Sequence, residues 1–207
     1  MRVFFDLETV PYDQDDKRIH EIVAAEWRRK KKAGYYEDDF ETFVGETALS
    51  GDFGRIVCLS WAVDAEKPQS IVGTNKEPEI LRQWWELVRL NQKFIGHNIF
   101  DFDLPFLLKR SRIHRIEPSK HLSLARYRND PFYDTMQEWS AWGRSKTSLD
   151  VLTQILGIKS PKTRMDGSDV APAAAEGRFK KISNYCERDV SAVREVYRRL
   201  TYAPFGK

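Results

Sequence analysis

Carboxylates in three short segments define the chemistry open to this chain. Asp6 and Glu8 stand in Phe5-Asp6-Leu7-Glu8-Thr9. Asp101 and Asp103 stand mid-chain in Gly96-His97-Asn98-Ile99-Phe100-Asp101-Phe102-Asp103-Leu104-Pro105-Phe106-Leu107. Asp189 stands late, in Tyr185-Cys186-Glu187-Arg188-Asp189-Val190. Asp6 and Glu8 are two apart in a run that reads as a strand, so both leave the same face, about 7 Å apart along the chain. Two such charges brought to ~4 Å repel by about 4 kcal/mol at an effective dielectric near 20. A cation between them is therefore expected; the same string at a solvent-facing strand end would do nothing.

In the last segment Tyr185, Asp189, Val193, Val196 and Leu200 recur at spacings of three and four. On a helix they form one stripe, which puts Asp189 where Leu or Val would normally pack. Tyr185 lies one turn earlier, so hydroxyl and carboxylate can address one point. A buried aspartate accepting hydrogen bonds from a neighbouring strand is the plainer alternative. The middle segment leaves Asp101 and Asp103 open, since either could cap a helix. His97 reads as a structural histidine. No His/Cys grouping has zinc-like spacing, and ligation by carboxylates alone points to Mg²⁺ or Mn²⁺.

The elements that must position these acids can be read from periodicity. Strands are predicted at Arg2–Leu7, Arg55–Val63, around Ser70–Gly73, at Lys93–Gly96 and at Phe132–Thr135. In the first, Val3, Phe5 and Leu7 face one side and Phe4, Asp6 and Glu8 the other. Helices are predicted over residues 15–32, 37–49, 77–91, 103–111 (Pro105 falling in its first turn), 148–156 with Gly157 as its stop, and 182–200. Residues 112–130 read as a long basic surface loop, and Lys159–Gly177, rich in Pro, Gly, Ala and Lys, as a mobile connection. Strands followed by helices alternating with strands indicate an α/β fold, a mixed sheet flanked by helices. Strand order does not follow from the sequence.

At 207 residues, 41% hydrophobic and 13% aromatic, the chain fits one globular domain. No apolar run is long enough for a membrane span, and the acidic pair at 6 and 8 occupies the place of a signal core. Cys58 and Cys186 fall in element interiors and read as reduced thiols of a cytoplasmic protein. A net charge of +3 merely permits a nucleic-acid partner. The run Arg28-Arg29-Lys30-Lys31-Lys32 reads either as a solvated helix end or as a phosphate-contacting patch.

Together the three segments resemble the DEDDy 3'–5' exonucleases of the ribonuclease H-like superfamily, in particular the exonuclease domain of family B DNA polymerases and its small stand-alone relatives. Asp-x-Glu matches Asp6 and Glu8; Asn-x-x-x-Phe-Asp matches Asn98, Phe102 and Asp103, which selects Asp103 over Asp101; Tyr-x-x-x-Asp matches Tyr185 and Asp189. The DEDDh variant would need a histidine where Asn184 stands. Phe132-Tyr133-Asp134-Thr135, Ser148-Leu149 and Gly167-Ser168-Asp169-Val170 look like further landmarks of the stand-alone group. The resemblance covers nearly the whole chain, residues 1–207, apart from a helical insertion at about 11–53. Nothing matches a polymerase palm, so any replication or repair partner is expected to be another chain.

The resemblance implies two Mg²⁺ or Mn²⁺ ions clamping the scissile phosphate. Asp6 would bridge them, Glu8 and Asp189 would hold the ion that activates water, and Asp103 would reach the other largely through water. Tyr185 would orient the nucleophile. Leu7 and Phe102 would pack on the terminal bases, with Asn98 and Thr9 as further substrate contacts. The implied substrate is an unpaired 3' end of DNA, cut to nucleoside 5'-monophosphates. An exoribonuclease acting on RNA and a catalytically silent nucleic-acid-binding module are the competing readings.

Overall fold

Strand β1 (Arg2–Val10) organises the molecule, because its two faces bury two different cores. In the computed structural model, which describes residues 1–160 and 165–203, β1 pairs antiparallel with β2 (Arg55–Val63), which carries β3 (Gln69–Val72) on its far side. On its other edge β1 runs parallel to β4 (Lys93–Gly96), which in turn pairs with β5 (Phe132–Asp134). The sheet order is therefore β3-β2-β1-β4-β5, a five-stranded mixed α/β sheet of the ribonuclease H-like kind. Parallel pairing needs a crossover. Helices α3 (Glu77–Leu90) and α4 (Asp103–Ile113) fall in the two connections that supply it.

Alternation along β1 sorts its side chains as the sequence predicts. Val3, Phe5 and Leu7 enter the main core with Trp84, Trp85 and Leu104. Phe4 turns the other way, into a cluster with Val190, Val193 and Tyr197 of the last helix, which runs Phe179–Leu200. Gly96 ends β4 where an added Cβ would lie 2.2 Å from Ile99 and 3.2 Å from the Phe5 carbonyl. Only glycine fits that close approach, and the chain turns there into the middle motif.

Between β1 and β2 lie α1 (Lys17–Lys32) and α2 (Phe40–Glu46), followed by a 3₁₀ turn at Thr47–Leu49. Asp16 and Asp39 cap the two helices through Ile19 and Thr42. Tyr12, Val23, Phe43 and Val44 form a small core of their own with Trp27 and Phe40 at its edge. The basic run occupies the last turn of α1. There its cations meet the negative helix end, Arg29 pairs with Glu26, and Lys30 and Lys31 lie over the Phe43 and Trp27 rings.

Two local expectations need correction. Lys159–Gly177 is not one loose connection: Asp166 and Asp169 form a capping box, and α7 follows at Val170–Ala175. Its alanines favour helix, and Val170, Ala173 and Ala174 pack beside Tyr185 and Cys186. Residues 161–164 of that stretch lie outside the described residues. A five-residue α5 (Thr135–Trp139) also follows β5 directly; it is too short to show a period. Helix α6 (Leu149–Ile155) starts from Ser148 and stops at Gly157, whose φ is +63°. The last helix is thus α8. Among the described residues no helix is long and apolar enough to cross a membrane.

Candidate active site

Asp6 and Glu8 project from the α8 side of β1, and α8 presents Tyr185, Cys186 and Asp189 to them. Carboxylate oxygens of Asp6 and Glu8 and the Cys186 sulfur all lie within 4.8 Å of one another. The β1–β2 register slips between Glu8 and Thr9, a bulge of the kind that re-aims side chains beside sites. Asp103 opens α4, where the chain leaves β4. Its carboxylate is buried, close enough to raise Asp6 and Glu8 by repulsion, and is itself repelled by Asp134 and favoured by the Leu7 amide.

The electrostatics of the four acids follow from this crowding. Burial pushes the Asp6 carboxyl well above the ordinary range, and repulsion from Glu8, Asp189 and Asp103 adds to it. Glu8 rises for the same reasons, with burial first and Asp189 next. Asp103 is pushed up to about 7 by burial, against the pull of its own amide and that of Leu7. Burial and the neighbouring carboxylates also raise the Tyr185 phenol, which donates a hydrogen bond to Asp189. No cation among the described residues offsets Asp6, Glu8 or Asp103. One oxygen of Asp103, Oδ1, is buried without a hydrogen-bond partner.

This donor set fits hard divalent cations: oxygen ligands converge, carry mutually repelling charge, and include an orphaned buried acceptor. Of the residues expected to do chemistry, Asp6 and Glu8 lie together with Cys186, and Asp103, Tyr185 and Asp189 stand close enough to interact electrostatically with that pair.

The expected substrate contacts divide differently. Leu7 is buried in the main core on the face of β1 opposite Asp6 and Glu8, as alternation implies, and Phe102 packs against the same cluster. Thr9 donates its hydroxyl to the Ala48 carbonyl at 2.7 Å and so ties β1 to the 3₁₀ turn. Asn98 is half-buried at φ +65°, with an unpartnered Oδ1. Phe102 is half-buried with its ring 5.6 Å from that of Phe106. Asp101 is not a cap: Phe102 holds that position without a side-chain bond, and Asp101 pairs instead with Arg126 and Lys146.

Three residues matter here that motif spacing did not single out. Asp134 is fully buried and accepts the amides of Asn98 at 2.8 Å and Phe100 at 3.1 Å, besides capping α5 through Met136. It holds the middle motif in its left-handed turn. Thr135 donates to the Gly96 carbonyl and touches His97 Nδ1. His97 donates through Nε2 to the Thr147 carbonyl, and burial lowers it to about 4, so it is a neutral structural residue. Cys186 donates its thiol to the Asp6 carbonyl and to Oδ2, each at 3.4 Å. The Phe-Tyr-Asp-Thr string was the only sequence signal for Asp134 and Thr135, and nothing signalled the contact of Cys186 with Asp6.

A family model described as a predicted 3'-5' exonuclease related to the exonuclease domain of PolB matches residues 49–204. The match holds Asp103, Tyr185 and Asp189 and leaves out the first motif and helices α1 and α2. No curated protein matches the chain.

Proposed function

The chain belongs to this family of predicted 3'–5' exonucleases related to the PolB exonuclease domain, and from that premise we propose a metal-dependent enzyme. It hydrolyses the terminal phosphodiester of DNA at single-stranded or unpaired 3' ends and releases nucleoside 5'-monophosphates. The observation that carries the reading is the convergence of Asp6, Glu8 and Asp103 without an offsetting cation, one oxygen of Asp103 being left without a partner. Its free, buried Cys58 and Cys186 support a reducing, cytoplasmic setting.

Asp6, Glu8, Asp103 and Asp189 would hold two ions, Mg²⁺ or Mn²⁺. When bound, such ions neutralise phosphate charge and acidify water. The protein's own part is positioning. Tyr185, with its phenol pushed upward, stays protonated at neutral pH and cannot serve as a base; it orients the attacking water through its hydroxyl. Asn98, whose buried Oδ1 has no hydrogen-bond partner, would contact the terminal nucleotide, and the half-buried Phe102 would pack on the last base.

Digestion of 5'-labelled single-stranded DNA, mismatched duplex and RNA tests this directly. Single-nucleotide steps from the 3' end are expected on the DNA strands with Mg²⁺ or Mn²⁺, and none with EDTA or with Ca²⁺, whose looser coordination misplaces the water. Tyr185→Phe should keep its metal affinity and lose roughly 10²-fold in turnover. Cutting in chelator, internal cleavage, or faster digestion of RNA would each overturn the corresponding part of the reading.

A further inference from the structure

Beside the middle motif lies a cavity of about 310 Å³ that the chemistry above does not use. Asp101 and Gln137 line it, together with Arg126, Tyr127, Trp142, Arg144 and Lys146. All three of its cations are exposed, against the single carboxylate of Asp101. Its size lies at the lower end of small-ligand pockets.

The rings are arranged in an unusual way. Phe132 in the core packs on Phe100, Phe100 on Trp142 at 5.5 Å, and Trp142 on Tyr127 at 5.2 Å. The ladder climbs from the main core to a tyrosine that is 75% exposed. Burial alone gives no reason to carry a stack of rings outward to solvent. Tyr127 at φ +62° and Trp142 at φ +61° also hold left-handed backbone, which bulky residues seldom adopt. The fold accepts that cost at the two residues forming the top of the ladder.

We infer that this groove is a second nucleic-acid subsite, which grips the single strand on the 5' side of the terminus being cut. An anchored, outward-facing ring is what a base needs for stacking, and flanking cations follow the phosphates. Asp101 holds Arg126 and Lys146 in place until a phosphate competes for them. Only Phe102 separates Asp101 in the groove from Asp103, which puts the groove next to the acids along the chain. An acidic peptide would satisfy the cations but leave the ring ladder without a role. The inference deepens the exonuclease reading and rests on it for the direction of the strand; the binding itself is measured separately.

The test is fluorescence anisotropy with 5'-labelled oligothymidylates of two and ten nucleotides, in chelator so that no strand is cut. Tyr127→Ala should weaken binding of the decamer about tenfold, one stacked base, and narrow the gap between decamer and dinucleotide. Tyr127→Phe keeps the ring and should restore affinity. Arg144→Gln with Lys146→Gln should lower the log–log salt slope by roughly 0.7 per lost phosphate contact. Decamer affinity and slope unchanged in both variants would overturn the groove, as would a Tyr127→Phe as weak as the alanine. A protein inert on every substrate that still needs Tyr127 for the decamer would sink the nuclease reading and keep the groove as a single-strand site, without its place on the 5' side of a cut terminus.

Discussion

Glu77 and Asp103 are equally hidden, each 3% exposed, yet the protein treats the two carboxylates in opposite ways. Glu77 accepts both arms of Arg110 at 2.8 and 2.7 Å, the Ile56 amide at 2.8 Å and His114 at 2.7 Å. Those partners hold its pKa below the ordinary value in spite of burial. Asp103 meets further carboxylates instead, keeps one oxygen without a partner, and is pushed up to about 7. Burial alone therefore does not mark a functional acid. A buried acid whose charge the fold has left uncompensated does, because only a ligand brought from outside can complete it.

The largest expected effect breaks the comparison at both ends. Glu77→Gln strands the buried Arg110 charge and should cost about 3–5 kcal/mol of stability. The protein that remains folded should digest DNA at the wild-type rate, since Glu77 touches none of the reacting groups. Asp103→Asn should do the reverse, losing at least about 10²-fold in turnover while its melting temperature in chelator holds or rises. Urea denaturation read beside single-turnover cleavage decides between them. If Asp103→Asn destabilised the protein as much as Glu77→Gln, Asp103 would be a structural acid like Glu77.

Much of this contrast was legible in the sequence, and the reason is periodicity. Alternation along β1 put Asp6 and Glu8 together and opposite Leu7, and helical spacing put Asp189 on the buried face of α8. The strands at Arg55–Val63 and Lys93–Gly96 have the predicted bounds. What escaped depends on contacts distant in the chain. The Glu77–Arg110 pair spans 33 residues, and Asp134 reaches back 36 to the Asn98 amide. No local pattern announces either. The ring ladder was hidden for the same reason, since Tyr127 and Trp142 sit in loops without period.

Stability against pH should sharpen the comparison next. An acid whose pKa is raised in the folded state keeps a proton that the unfolded chain has already released. The fold therefore loses stability as pH rises from about 4 toward about 7, the window between the ordinary and the folded value of Asp103. Asp6 and Glu8 act in the same direction. Glu77, being lowered, contributes above its ordinary value of 4.5 and loses that contribution as pH falls through its folded value. In chelator, wild-type melting temperature should therefore fall between pH 5 and pH 8, and Asp103→Asn should flatten that fall. Mg²⁺ at pH 8 should raise wild-type melting more than that of the variant, because ions stabilise the state that binds them. Coincident profiles for wild type and Asp103→Asn would mean that Asp103 carries no uncompensated charge in the fold.

The smallest effect comes from the third kind of carboxylate, Asp101, two residues from Asp103. It is half-buried and already paired with Arg126 and Lys146, both of which reach it from solvent. Such pairs contribute about 0–1 kcal/mol, so Asp101→Asn should melt within that margin of wild type and keep most of its turnover. Its effect should appear in the groove. Removing the carboxylate frees two cations for phosphate, which should tighten decamer binding at low salt and steepen the log–log salt slope by up to roughly 1.4. Anisotropy titrations at several salt concentrations read both quantities. If Asp101→Asn abolished cleavage and left the slope alone, Asp101 would belong with Asp103 as a ligand. The middle motif would then be shifted by two residues, and the uncompensated acid would have been assigned to the wrong position.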